Sequence, residues 1–196
     1  MAKAVIHLSE LAEGLANEDR TLVNHGSGRP ENVAEHSNML AIIAPVVAEE
    51  YFPELDANLV ARYASVHDCI EAYVGDTPTH DITEQGLLDK GDLEKLGLAK
   101  LKSDFRHLPS FAGFVESYES QVVPEARFVR VLDKSMPALL HLANGGVVLA
   151  SHIDKPGLRD NSKQRAASLR RDYPELEQLI VLREELSTLI AEEFLS

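Results

Sequence analysis

Apolar residues recur three and four positions apart along most of this chain, and nowhere do they alternate long enough to build a sheet. The spacing predicts a short opening helix over Ile6–Leu15, with Ser9 available as a cap. Residues 16–30 are polar and carry Gly26, Gly28 and Pro30, so they read as a loop. A long helix is expected over Glu31–Glu50, where Val33, Met39, Leu40, Ile42, Ile43, Val46 and Val47 make a broad apolar face; Pro45 is a point for a kink, and Tyr51-Phe52-Pro53 ends it. Asp56 or Asn58 can cap the next helix, which is expected to run on through His67 and Asp68 until Gly75 stops it. After a charged loop, helices are expected from about Asp92 to Arg106 and over Ser110–Ser120. Val122-Val123-Pro124 breaks the second of these. A single helix over Glu125–Leu142 should then end at Asn144-Gly145-Gly146. His152–Asn161 reads as a polar loop, Ser162–Asp172 as a basic helix and Glu175–Phe194 as the last helix. The fold class expected is all-α, one domain over 1–196 with six to eight helices, of which residues 146–196 form the C-terminal part.

Composition narrows the function. The 196 residues suffice for a sizeable core, and 44% are hydrophobic, ordinary for a globular protein. Net charge is −13, from 32 acidic against 19 basic residues, which argues against a duplex nucleic acid or an anionic membrane as partner. It leaves room for a small anionic substrate held by local cations. The lone Cys69 excludes an internal disulfide and fits a reducing compartment. No apolar run reaches the roughly 18 residues that span a bilayer, and the first residues lack a signal-peptide core. The expected location is cytoplasmic.

The chemistry concentrates in residues 66–79, where one histidine, three carboxylates and two threonines fall within a few turns. His67, Asp68 and Glu71 can share one helical face. Adjacent His and Asp can both reach one divalent cation. Two further donors stand elsewhere. His36 lies on a helix that is otherwise apolar on its inner side, and Asp133 interrupts an apolar run near the middle of a helix, where an unpaired carboxylate is costly to bury. His36, His67, Asp68 and Asp133 offer two nitrogens and two oxygens, a set that suits Mn, Co, Zn, Ni or Fe with positions left for water or substrate. Plainer readings exist: His36 as a hydrogen-bonded core histidine, Asp133 as an ion pair with Lys134 or Arg130, Asp68 as solvent-exposed. His25, His80, His107, His141 and His152 have no motif around them and read as surface or loop residues.

The order of these donors, with Asn32-Val33-Ala34-Glu35-His36-Ser37, then His67-Asp68-x-x-Glu71-x-x-x-Gly75-Asp76-x-Pro78-Thr79, then Asp133-Lys134, resembles the HD-domain metal-dependent phosphohydrolases, and among them the 5′-deoxynucleotidase branch. The resemblance covers roughly residues 5–145. It implies a divalent metal held by His36, His67, Asp68 and Asp133, with Glu71 and Asp76 handling the attacking water and the leaving group. It implies a phosphate-orienting arginine ahead of the first His, a place that Arg20 fits best and Arg29 second. Thr77, Pro78 and Thr79 would line the substrate side of their turn with Asp76 also facing the substrate, and His36, Asp68 and Asp133 would face substrate as well as metal. Where such enzymes carry a Trp beside the sugar, directly after that arginine, this chain has Thr21.

The activity implied is release of phosphate from deoxyribonucleoside 5′-monophosphates. The smaller Thr21 keeps open a deoxynucleoside triphosphate triphosphohydrolase on the same metal site. From another class comes a helical nucleotide-binding or scaffolding protein that keeps a metal for stability. The last helix, with Leu176, Leu179, Ile180, Leu182, Leu186, Leu189 and Ile190 on one side, is expected to pack on the domain, and the resemblance adds the expectation of a homo-oligomer, a dimer.

Overall fold

The computed structural model describes residues 1–24, 28–75 and 84–195. Among these residues ten α-helices follow in chain order: α1 (Ala2–Asn17), α2 (Val33–Tyr51), α3 (Ala57–Val66), α4 (Glu71–Val74), α5 (Glu84–Asp104), α6 (Pro109–Glu119), α7 (Pro124–Asp133), α8 (Met136–Ala143), α9 (Lys155–Asp172) and α10 (Glu177–Phe194). Two short strands, β1 (Asp19–Asn24) and β2 (Pro30–Asn32), form one small sheet between α1 and α2. The all-α class expected from the sequence holds.

Two expected helices each break in two. The helix from Asp56 ends at Val66, and residues 67–70 continue as turns in which Cys69 N–H donates to Val66 O and Glu71 N–H to Asp68 O, each three residues back. The single unbroken helix expected to carry His67, Asp68 and Glu71 is therefore interrupted between Val66 and Glu71. The helix expected over Glu125–Leu142 likewise stops at Asp133 and restarts at Met136, so Asp133 is the last residue of α7 and not a mid-helix position. Elsewhere the differences are of length. The opening helix already starts at Ala2, with Ser9 inside it, α5 begins before Asp92, and α9 begins at Lys155, inside the expected polar loop. Part of the loop expected over 16–30 is strand instead.

The chain forms two compact units, Met1–Thr21 with Asn32–Ala126, and Leu22–Glu31 with Arg127–Ser196. In the first, α2 packs on α3 and α1, α4 on α1 and α5, and α6 on α5 and α3. Its core includes Leu11, Leu15, Val33, Cys69, Ile70, Leu101, Phe105 and Val115. Burial of each large side chain there contributes on the order of 1.5–3 kcal/mol. In the second unit α10 packs on α8 and α9. Leu176, Leu179, Ile180, Leu186 and Ile190 are buried as the packing reading requires, whereas Leu189 is exposed. His141, expected at the surface, is buried instead, because the apolar helix α8 carries it inward.

Candidate active site

The first unit brings together three of the predicted residues with a fourth beside them. His36 stands in the first turns of α2, and the start of that helix is fixed by a capping box: Asn32 Oδ1 accepts the Glu35 N–H at 2.9 Å, and Glu35 Oε2 accepts the Asn32 N–H at 3.2 Å. That places His36 inside the protein, 1% exposed.

His67 follows α3. Tyr63, near the end of that helix, stacks on Phe114 of α6 at 4.5 Å between ring centroids, and its hydroxyl lies 2.8 Å from Ser117 Oγ. Tyr118, also on α6 and fully buried, meets the His67 ring edge-on at 6.1 Å. The α3–α6 contact thus sets Tyr118 against the imidazole. Its Nδ1 lies 2.9 Å from the Ala64 carbonyl oxygen. A carbonyl oxygen only accepts, so Nδ1 carries the proton and Nε2 is the nitrogen turned to the site.

Nε2 of His67 lies 2.9 Å from Asp68 Oδ2, and His36 Nε2 lies 3.8 Å from the same oxygen. The two imidazole rings are 5.2 Å apart between centroids, and each offers a ligand atom within 4.8 Å of the other's. A ring nitrogen with its lone pair and a carboxylate oxygen repel at this distance unless a cation stands between them, either a proton on the imidazole or a metal. The donor chemistry fits a divalent metal: two imidazole nitrogens, the His67 ring with its other nitrogen tied to a carbonyl, beside an acidic oxygen. Arg20 of β1 adds a third approach, its Nη1 3.3 Å from Asp68 Oδ2, with both side chains largely shielded from solvent. Arg29, the second choice for the phosphate arginine, is exposed and donates to the Pro30 carbonyl at 3.1 Å.

Glu71 opens α4 and is half-buried. Gly75 ends that helix at φ 77°, and a Cβ there would meet the Glu18 carboxylate at 3.2 Å, so the turn calls for glycine. Burial pushes the neighbouring Cys69 thiol up to about 12, with the charges of Asp68 and Glu119 adding to it, so it is not a thiolate nucleophile. Asp76, Thr77, Pro78 and Thr79 lie outside the described residues, as does the side chain of Thr21.

In the second unit Asp133 ends α7, 6% exposed, with Lys134 Nζ 2.5 Å from its Oδ2. The ion pair with Lys134, one of the plainer readings of Asp133, is therefore present. Sequence reasoning held Asn32 and Glu35 only as members of a motif and missed their capping role, for which the Asn-x-x-Glu spacing was an available signal; it missed Tyr118, which has no local signal, since only the α3–α6 packing brings it to His67.

The chain is similar to proteins of known name over nearly its whole length. The 5′-deoxynucleotidase HDDC2 of Homo sapiens is 29% identical, over 97% of this chain and 90% of that protein. Its namesake in Xenopus laevis is 29% identical, over 84% of this chain and 78% of that one. Among solved structures, a predicted metal-dependent phosphohydrolase from Magnetospirillum magnetotacticum MS-1 superposes with a TM-score of 0.72 at 24% identity, covering 98% of this chain and 95% of the other. The PH0347 protein of Pyrococcus horikoshii OT3 does so at 0.61 and 22% identity, over 95% and 99%. The family model described as HD domain matches residues 12–177, a span that takes in the capped His36 and the His67-Asp68 pair, and with that the chain belongs to the HD domain family.

Proposed function

We propose that this protein is a metal-dependent phosphohydrolase that releases phosphate from deoxyribonucleoside 5′-monophosphates, with His36, His67, Asp68 and Asp133 as ligands of one divalent transition metal. The observation that carries the reading is the meeting of His67 Nε2, His36 Nε2 and Arg20 Nη1 at one carboxylate oxygen of Asp68. The names of the human and frog relatives support the substrate class. Asp133 enters as the fourth donor through its acidity, its burial and its place in the family's order. The family match, which runs through parts of both compact units, supports a single HD-type domain.

When bound, the metal polarises a phosphoryl oxygen and lowers the pKa of its water. Around it, Arg20 clamps phosphate charge through its planar fork. Glu71 takes the proton of the attacking water, and Asp76, which enters the cycle protonated, gives its own to the leaving 5′-oxygen; exchange with solvent resets both. Substrate contacts are assigned to Thr77, Pro78 and Thr79, and contact with the sugar to Thr21. The working form is a cytoplasmic homodimer, which sedimentation of the purified protein tests.

The test is phosphate release from deoxy- and ribonucleoside monophosphates, run with added Mn, Co, Zn or Mg. Metal-dependent release from dAMP or another deoxynucleotide is expected. Tripolyphosphate from dATP without phosphate from any monophosphate would replace the reading with a triphosphohydrolase, which the relatives' names do not favour. Nucleotide binding without any product would leave a scaffold.

A further inference from the structure

We infer that Arg183, on α10, is a positioning residue for Asp133: it holds the turn that follows this carboxylate and so sets where the carboxylate points. The inference rests on Asp133 being a metal ligand.

In an unbroken helix the Lys134 carbonyl would accept the Ala138 N–H, four residues on. Here it does not. Ala138 N–H goes to Ser135 O at 3.1 Å, Leu139 N–H goes to the same oxygen at 3.3 Å, and Pro137 has no N–H to offer. The Lys134 carbonyl is one that the break between α7 and α8 releases. The nearest hydroxyl does not donate to it either, since the buried Oγ of Ser135, at the start of α8, has no hydrogen-bond partner among the described residues. Arg183 supplies the donor instead. Its Nε donates to Lys134 O at 3.3 Å, and its Nη1 to Ser162 O of α9 at 3.5 Å. One guanidinium thus ties the residue next to Asp133 to α9, and both arms reach backbone oxygens that cannot swing away.

Holding the cation there carries a cost. Arg183 is half-buried, and burial, with the like charge of Arg165 adding to it, pulls its pKa down to about 10 against the partial offset of Glu184. A residue that merely filled space between α9 and α10 would do so better as Leu or Met.

Calorimetric titration with Mn²⁺ tests this on the metal-free full chain, using Arg183→Met, Arg183→Lys and Asp133→Asn. Removing a residue that orients a ligand typically weakens metal about 10- to 100-fold. Arg183→Met should weaken Mn²⁺ about tenfold. Arg183→Lys, which keeps the charge but only a point donor, should fall between Met and the natural residue. If Arg183→Met does not fold, Arg183→Lys alone decides, with a threefold or greater loss expected. A loss of less than about threefold in the folded variants, while Asp133→Asn loses the metal, would overturn the positioning role. Full Mn²⁺ affinity in Asp133→Asn would instead remove Asp133 from the ligands and the inference with it.

Discussion

At the scale of single residues, Asp68 is the hub. One of its oxygens lies within 2.9 Å of one imidazole nitrogen, 3.8 Å of a second and 3.3 Å of a guanidinium nitrogen. Asp68→Asn keeps the shape but replaces a charged acceptor with an amide that turns N–H toward those groups half the time. Metal content measured by emission spectroscopy should fall to background, and turnover by more than about a hundredfold, beyond the usual loss for an outer-shell partner. Glu71→Gln should separate the two properties. It should retain metal and lose about 10²–10⁴ in kcat, the usual worth of a general acid or base; unchanged kcat would dismiss Glu71 from proton transfer. Farther out, Asn32→Ala removes half of the capping box that seats His36. It should lower unfolding free energy by about 1 kcal/mol in urea titrations and weaken metal as well, because the first turn of α2 carries the ligand. At this scale the sequence was a good guide wherever the side-chain type itself is the chemistry. His36, His67 and Asp68 could be picked because two histidines and an acid on successive helices have few other uses together, and Arg20 because the resemblance calls for an arginine ahead of the first His. His141 was misjudged because burial of a histidine depends on which face of a helix meets the core, and a lone polar residue in an apolar stretch does not say.

At the scale of elements, the apolar periodicity found the helices and missed where two of them stop. The rhythm continues through residues 67–70 and through 133–136, so hydrophobic spacing alone runs α3 into α4 and α7 into α8. The first break is decided by hydrogen bonds three residues back around Asp68, the second by Pro137 and by the distant Arg183. Both breaks fall at predicted ligands, where a side chain must be aimed and an uninterrupted helix would aim it elsewhere. The strands escaped for a related reason, since β1 and β2 are too short to alternate visibly and exist through pairing with each other. The turn after α8 was legible, because Asn144-Gly145-Gly146 announces it. Gly146 sits at φ 67°, donates its N–H to the His141 carbonyl at 2.8 Å, and has Phe194 so close that an added Cβ would come within 2.7 Å of the Phe194 Cβ. Gly146→Ala therefore combines a left-handed backbone with a clash against α10. It should cost about 2–4 kcal/mol by chemical denaturation. Gly145→Ala, with open space around it, should cost only about 1 kcal/mol for its backbone. Equal losses would mean that Phe194 moves aside freely.

Across the whole molecule, net charge decides what the surface can attract. With 32 acids against 19 bases, that surface repels a nucleotide, so the cations that matter must be local, as Arg20 is beside Asp68. Among the described residues no helix is long and apolar enough to cross a membrane. The acid excess also sets how stability responds to pH, through the carboxylates that folding pairs with cations. Glu175 is the clearest. Arg127 Nε donates to it at 2.6 Å while the Arg127 guanidinium lies over the Tyr173 ring at 4.6 Å, and this hydrogen bond holds the Glu175 carboxyl below its ordinary value near 4.5. Glu177, bound by Arg170, is shifted the same way. A carboxylate whose pKa is lower in the folded chain binds fewer protons there than when unfolded. Its stabilisation is therefore complete above the unfolded value and is lost as pH falls through the folded one. Glu175 is half-exposed, so solvent screening limits the pair to no more than about 1 kcal/mol. Glu175→Gln should thus melt below the natural protein near pH 7, keep that gap as pH falls toward the unfolded value near 4.5, and lose it as pH falls through the lower folded value, where the natural carboxyl is protonated too. A gap that stayed constant across this range would show that the amide disturbs packing around Arg127 and Tyr173, and that the charge on Glu175 contributes nothing.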